Sequence, residues 1–168
     1  GTATAIRGFD LALEALARLP DAGVVLRVLA RGADAAGLAR IHAKISRLGI
    51  EARVTVVGGW SDRARLIDEI HAADAVLQPF VLVPSELPVT AMEVIACGTP
   101  VIGSAIDGLP STIGEAGAVA RQGSAAALAD VIAHFAREAG VRAAWREGCA
   151  RQRDAMLETL FPCASVRG

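Results

Sequence analysis

The stretch from Pro84 to Gly108 reads P-S-E-L-P-V-T-A-M-E-V-I-A-C-G-T-P-V-I-G-S-A-I-D-G and spans a whole connection between two strands. We expect a helix from Pro88 to Cys97, because proline is tolerated in the first turn and Gly98 is a typical stop signal. The strand core Val101-Ile102 follows the turn. Such a helix start offers unpaired N–H groups and the positive end of the helix dipole, so the stretch predicts an anion-binding helix terminus.

Outward from this stretch, apolar residues at helical spacing alternate with short β-branched runs. The expected strands are Val24–Ala30, Val54–Val57, Ala75–Phe80, Val101–Ile102 and Ala118–Ala120. The other expected helices are Phe9–Leu19, Leu38–Leu48, a helix capped by Ser61, a helix from Ser124 to Arg137, and Val141–Leu160. We expect a loop at Gly108-Leu109-Pro110. The alternation predicts an α/β fold, a Rossmann-like parallel sheet with helices on both faces, that binds ligands at the carboxyl ends of its strands.

Composition narrows the function. The 168 residues suit one domain, and 53% of them are apolar. A balance of 17 basic and 18 acidic residues gives a net charge of −1, which gives no reason to expect nucleic-acid binding. Neither G-x-G-x-x-G after a first strand nor G-x-x-x-x-G-K-[ST] occurs, which argues against a nicotinamide dehydrogenase and a P-loop nucleotidase. No signal peptide or membrane span is visible, and we expect a cytoplasmic location.

Cysteine and histidine give no sign of a metal site. The cysteines are odd in number and lack zinc-ligand spacing, which indicates unpaired thiols in a reducing compartment. They are Cys97, Cys149 and Cys163. The histidines fall in three different predicted helices, where we expect them on the helix surfaces. They are His42, His71 and His134.

Four motifs, in order along the chain, resemble those of one family. Glu93–Ile102 (E-V-I-A-C-G-T-P-V-I) resembles the E-A-M-A-C-G-T-P-V-I signature of family-4 glycosyltransferases with the GT-B fold. Arg7–Ala12 resembles the K-G-F-D-L-A start of the first helix of the same domain, and Ala72–Leu77 resembles its A-A-D-V-x-L strand. Gly108-Leu109-Pro110 resembles the G-G-x-P loop after the signature. The order of the four matches makes the resemblance specific.

The resemblance implies that residues 1–168 are a single C-terminal domain that binds a nucleotide-sugar donor. The partner would be the N-terminal acceptor-binding domain of the same chain, which we expect to be absent here together with the first strand. The implied reaction transfers a sugar to an acceptor hydroxyl with retention of configuration, without a cofactor and without a metal ion. We expect the fragment alone to be inactive. The full enzyme could associate peripherally with the inner face of the membrane.

Two acidic residues carry the implied site. Glu93 matches the family residue that holds the ribose hydroxyls, and a carboxylate suits a vicinal diol because it accepts two hydrogen bonds. The family's first glutamate, which contacts the donor sugar, stands eight positions earlier, where this chain has Ser85. We assign that role to Glu86, seven positions before Glu93, through a rearranged loop. The alternatives are that Glu86 and Ser85 only cap the helix and that Glu93 is a surface glutamate.

Basic and backbone groups would hold the diphosphate. Arg7 matches a family lysine that contacts it, although Arg7 could also be an ordinary exposed arginine. The amides of Val89 and Thr90 are the nearest donors at the helix start, since Pro88 has no N–H. The Thr90 hydroxyl could add a contact, cap the helix or pack. The loop at Gly59 could contact the base through its backbone. A second family arginine, about six positions before Arg7, is missing.

Two other classes of function stay open. One is another enzyme of the same two-domain architecture, such as a nucleotide-sugar epimerase or a phosphorylase. A phosphorylase would need a pyridoxal phosphate lysine, and Lys44 is the only lysine in the chain. The other class is a non-catalytic nucleotide-binding or scaffolding module. The shortened spacing of the two glutamates and the missing arginine both favour the module.

Overall fold

The computed structural model describes residues 7–19, 23–30, 33–58, 62–82 and 88–160. Strands and helices alternate in it, as the sequence predicts. The strands are β1 (Leu26–Ala30), β2 (Val54–Gly58), β3 (Val76–Gln78), β4 (Val101–Ser104) and β5 (Gly117–Ala120). The helices are α1 (Phe9–Ala17), α2 (Ala35–Leu48), α3 (Arg63–Ala72), α4 (Val89–Ala96), α5 (Leu109–Ile113), α6 (Ala125–Arg137) and α7 (Ala139–Leu160).

All the strand pairs of the described part are parallel. β1 pairs with β2, with Leu26 opposite Val54. β3, β4 and β5 pair in that order, with Val101 of β4 opposite both Val76 and Gly117. The described strands therefore form a two-stranded group and a three-stranded group. α1 links the groups, because its Leu13 packs in the core beside β1 and its Ala15 packs in the core beside β4.

Helices cover both faces of the three-stranded group. Successive residues of a strand point to opposite faces. Val101 belongs to the core formed with α4, α5 and α7, whereas Ile102 belongs to the core formed with α1 and α6. All four residues of β4 are buried. The predicted parallel α/β fold with helices on both faces is confirmed.

Helix starts follow from side-chain caps. α2 begins before Leu38, the predicted first residue, because the Asp34 side chain accepts a 2.7 Å hydrogen bond from an amide in the first turn. The cap of α3 is Asp62, whose side chain accepts from an amide of that helix at 3.0 Å. Ser61, the predicted cap, lies outside the described residues. Ser124 caps α6 as predicted.

Proline explains two differences from the sequence predictions. β3 ends at Gln78, short of the predicted Phe80, because Pro79 cannot donate to a strand ladder and the Phe80 amide turns back to the Gln78 carbonyl at 2.9 Å. The predicted loop at Gly108-Leu109-Pro110 is wrong, since α5 begins at Leu109. Proline is compatible with a first helical turn, where the amides lack intrahelical partners.

The signature stretch forms the connection from α4 to β4. Gly98 adopts the left-handed conformation with φ 78°, which ends the helix as predicted. The next side chain, Thr99, is buried and donates a 3.0 Å hydrogen bond to the Ile70 carbonyl in α3. The G-T-P turn therefore fixes α3 and α4 relative to each other.

α7 is attached to the rest of the domain by arginines. Arg142 donates to the carbonyls of Phe135 and Ala136 at the end of α6, at 3.0 and 2.7 Å. Arg151 pairs with Glu115 at 2.6 Å. The two Arg142 contacts satisfy carbonyl groups that the end of α6 leaves unpaired. In the described part of the chain, no helix combines the length and the apolar character needed to cross a membrane.

Candidate functional site

The candidate site lies at the carboxyl edge of the sheets, where the connections after parallel strands converge. α3 begins after β2 and α4 begins after β3. The residue before α1, Gly8, also lies at this edge, because a Cβ there would stand 1.8 Å from the Pro79 carbonyl oxygen, just past the end of β3. Gly8 has φ 70°, so glycine is required for both its conformation and its contact.

Arg7 is held at this edge by an aromatic ring. Its guanidinium carbon lies 5.4 Å from the centroid of the buried Phe80 ring, within the range of a cation–π contact. The Arg7 Nε atom is buried and has no hydrogen-bond partner among the described residues. The side chain is half-buried rather than fully exposed. A buried donor without a partner is uncommon in folded proteins and marks Arg7 as a candidate site residue.

The start of α4 presents two backbone donors. Pro88 stands at the cap position, and its carbonyl accepts from the Ala91 and Met92 amides at 2.9 and 3.2 Å. Among the described residues, no backbone acceptor is bonded to the amides of Val89 and Thr90. Both residues are exposed. The helix terminus therefore has the character of an anion site that the sequence predicts.

Glu93 lies in the second turn of α4, with 37% of its side chain exposed. Its Oε1 atom lies 3.2 Å from the Nη2 atom of Arg63, the first residue of α3. The contact joins the start of the helix after β2 to the helix after β3. The carboxylate is thus open to solvent on one side and faces a cation on another.

The other predicted site residues lie outside the described residues. They are Gly59, Ser85 and Glu86. The structure does describe what precedes the last two: the Gln122 side chain donates a 2.8 Å hydrogen bond to the Val81 carbonyl, between β5 and the chain after β3. The connection after β5 therefore contacts the beginning of the segment that leads from β3 to α4.

A groove of about 340 Å³ lies beside Glu93, between α4 and α7. Its walls are apolar apart from Glu93 and Arg153, and Val89 at the start of α4 is 54% exposed on it. A groove with mostly apolar walls suits the apolar part of a ligand, and its two charged lining residues can contact polar groups.

The thiols and imidazoles stay apart from the site. Cys97 and Cys149 are free, and burial raises the pKa of the Cys149 thiol, which makes it less reactive. Cys163 lies outside the described residues. The three histidines are exposed on their helices, as predicted: His42, His71 and His134. The described residues contain no group of three or more His, Cys, Asp and Glu side chains that could hold a metal ion.

Three side chains at this edge belong to none of the sequence motifs. Arg63 lies 3.2 Å from the Glu93 carboxylate, and Gln122 lies 2.8 Å from the Val81 carbonyl. In both contacts the two residues are far apart in the sequence. Gln78 is 2% exposed at the end of β3, and neither atom of its amide has a partner among the described residues. A polar residue in an otherwise apolar strand is the only signal that pointed to Gln78.

Comparisons with known proteins identify the family of this chain. A family model described as "Glycosyl transferases group 1" matches residues 1–152. The D-inositol 3-phosphate glycosyltransferase of Mycobacterium sp. (strain KMS) is 36% identical over 124 residues, which are 72% of this chain and 25% of that protein. The chain thus spans about a quarter of the length of the curated relatives it matches.

Solved structures share the fold. The sucrose-phosphate synthase of Thermosynechococcus elongatus superposes with a TM-score of 0.80 at 27% identity, over 92% of this chain and 39% of that one. The Anabaena protein HepE, crystallised with UDP and glucose, superposes with a TM-score of 0.76 at 22% identity, over 95% and 46% of the two chains. The parallel α/β architecture is that of GT-B glycosyltransferases, and the chain belongs to the group 1 glycosyl transferases.

Proposed function

We propose that this chain binds the nucleoside diphosphate part of a sugar donor and forms the C-terminal, donor-binding half of a retaining family-4 glycosyltransferase. The observation that carries the proposal is the position of Glu93. Its half-exposed carboxylate stands in the second turn of a helix whose start presents the Val89 and Thr90 amides. The carboxylate, which can accept from hydroxyl groups, and the amides, which can bind an anion, thus lie about one turn apart on the same helix.

Glu93 accepts hydrogen bonds from the two ribose hydroxyls in this proposal. A carboxylate has acceptor sites on both oxygens, so the Arg63 contact at Oε1 leaves capacity for a diol. Hydrogen bonds to a charged acceptor are stronger than those to a neutral one. An amide at this position would offer a single acceptor oxygen.

Arg7 and the start of α4 bind the diphosphate. Arg7 carries its positive charge over Phe80 and has a buried donor that lacks a partner among the described residues. The Val89 and Thr90 amides contribute hydrogen-bond donors at the positive end of the helix dipole. As the sugar leaves, negative charge develops on the diphosphate, and preorganised donors stabilise it. We propose that these groups supply the stabilisation without a metal ion.

Glu86 contacts the hydroxyls of the transferred sugar in this proposal, and Ser85 contributes to binding of the donor. Gly59, directly after β2, offers its backbone to the base. The proposal gains support from HepE, whose solved structure contains UDP and glucose. The acceptor site would lie in an N-terminal domain of a longer, cytoplasmic protein. The 168-residue chain would then bind donor and transfer nothing by itself.

The test is a heteronuclear NMR titration of the 168-residue chain with UDP, GDP and ADP, repeated on Glu93→Ala. We expect saturable shifts with one nucleotide, near the start of α4, that are strongly weakened in the variant. Equal binding by both proteins would overturn the assignment of Glu93. The absence of any saturable shift at millimolar nucleotide would overturn the donor-binding function of this chain and favour a scaffolding module.

A further inference from the structure

We infer that Arg63 is a positioning residue for Glu93: it orients the carboxylate toward the ribose diol before the donor arrives. The inference rests on the proposed function and assigns a role to a residue outside the family motifs. Arg63 Nη2 lies 3.2 Å from Glu93 Oε1. The two residues belong to different elements, α3 and α4, so the contact depends on the tertiary fold.

The fold holds both ends of this contact in place. Asp62 caps α3 directly before Arg63, with its side chain 3.0 Å from the Ala64 amide. At the other end of α3, the Ile70 carbonyl accepts the 3.0 Å hydrogen bond from Thr99, which stands in the turn after α4. α3 and α4 are therefore fixed relative to each other, and the side chains of Arg63 and Glu93 meet across a defined distance.

The exposure of the pair favours an orienting role over a stabilising one. Arg63 is 77% exposed and Glu93 is 37% exposed. Exposed ion pairs contribute little to the free energy of unfolding, because water and salt screen them. A glutamate that is already held in one orientation, however, loses less side-chain freedom when a ligand binds it. The contact therefore matters more for ligand affinity than for stability.

The test compares Arg63→Ala, Arg63→Lys and the matched control Arg65→Ala, which removes the same charge two positions along α3. Dissociation constants are measured for whichever of UDP, GDP and ADP binds the chain, and for its 2′,3′-dideoxy form, which lacks both ribose hydroxyls. We expect Arg63→Ala to weaken binding of the ribonucleotide by about two- to fivefold. Binding of the dideoxy form should stay unchanged, and Arg63→Lys should recover most of the loss.

The ligand pair separates positioning from a general charge effect. Equal weakening of both nucleotide forms, or an equal loss in Arg65→Ala, overturns the inference, because Arg63 would then act by bulk electrostatics. An unchanged affinity in Arg63→Ala overturns it as well. Glu93→Ala is measured in parallel: if it too leaves ribonucleotide binding unchanged, or if no nucleotide binds, the proposed function fails and the inference with it.

Discussion

Two arginine–glutamate contacts of this domain differ in geometry and in exposure. Arg27 of β1 and Glu69 of α3 form a two-armed pair, in which the Arg27 Nε and Nη2 groups donate to the two Glu69 oxygens, the latter at 2.8 Å. Glu69 is only 12% exposed. Arg63 and Glu93 make a single contact at 3.2 Å, and Glu93 is three times more exposed. The first glutamate is fully engaged by its partner, whereas the second keeps acceptor capacity for a ligand.

The same contrast separates two arginines. Both donors of Arg27 that face Glu69 are used. Arg7 has a buried Nε without a partner among the described residues, and its ring contact with Phe80 involves no carboxylate. Arg27 and Glu69 thus satisfy each other, while Arg7 and Glu93, which are proposed for the site, are only partly paired among the described residues.

Substituting Glu93 should weaken ligand binding, whereas substituting Glu69 should not. We expect Glu93→Ala to weaken nucleoside diphosphate binding by about 10- to 100-fold, because two hydrogen bonds to a charged acceptor are lost. Glu69→Ala should leave the affinity within about twofold of the parent, since its carboxylate serves Arg27. Isothermal titration calorimetry on both variants measures this. Equal losses in the two variants would show that the contrast between the pairs does not concern the ligand.

Substituting the two arginines should distinguish phosphate contacts from ribose contacts. We expect Arg7→Ala to weaken binding of a nucleoside diphosphate by about tenfold and binding of the corresponding nucleoside very little, because Arg7 meets the phosphates. The affinity of Arg7→Lys for the diphosphate should lie between those of the parent and the alanine variant, because lysine keeps the charge but lacks the two-armed donor geometry of arginine.

Arg27→Ala serves as the control for a lost positive charge, measured by the same titrations at two salt concentrations. Its affinity for both ligands should stay close to that of the parent protein. A nucleoside that loses as much affinity as the diphosphate in Arg7→Ala would place Arg7 away from the phosphates.

For thermal stability the order of the two glutamates should be reversed, with Glu69 mattering more than Glu93. We expect Glu69→Gln to lower the melting temperature by about 1–3 °C, because the ion pair between β1 and α3 is lost but its partner Arg27 remains half in water. Glu93→Gln should leave the melting temperature within about 1 °C of the parent. Differential scanning calorimetry of the two variants checks this, and a larger drop in Glu93→Gln would mark that residue as structural.

The sequence predicted the elements whose signals are local. Pro88 and Gly98 mark the two ends of α4, because capping and stop residues act within a few positions of a helix end. Counting from Pro88 places Glu93 in the second turn of the helix. Asp62 shows the limit of such signals, since it caps α3 where an adjacent serine was equally suitable. Pro79 ended β3 early through a hydrogen-bond requirement that hydrophobicity alone does not reveal.

Long-range contacts at the site were not predictable from local patterns. Arg63 lies thirty positions before Glu93, and nothing in an R-A-R-L start of a helix indicates which arginine meets α4. The hydrogen bond from Gln122 to Val81 joins two loops that lie 41 positions apart in the sequence, so no local pattern indicates it. The motifs therefore predict a candidate site, and the packing of α3 against α4 determines which additional described residues border Glu93.

The smallest expected effect is a pH dependence of the Arg27–Glu69 contact. Hydrogen bonding from Arg27 lowers the pKa of the Glu69 carboxyl below its ordinary value of 4.5, opposed by desolvation and aided by the charges of Arg27 and Arg65. A carboxyl with a lowered pKa in the folded state stabilises the protein above the ordinary pKa, and that stabilisation is lost as the pH falls through the folded value.

The stability difference between the parent and Glu69→Gln should thus be constant near neutral pH and shrink below about pH 4.5. Urea unfolding at several pH values measures the difference. A gap that persists undiminished at low pH would mean that packing of the side chain, rather than its charge, accounts for the contribution of Glu69.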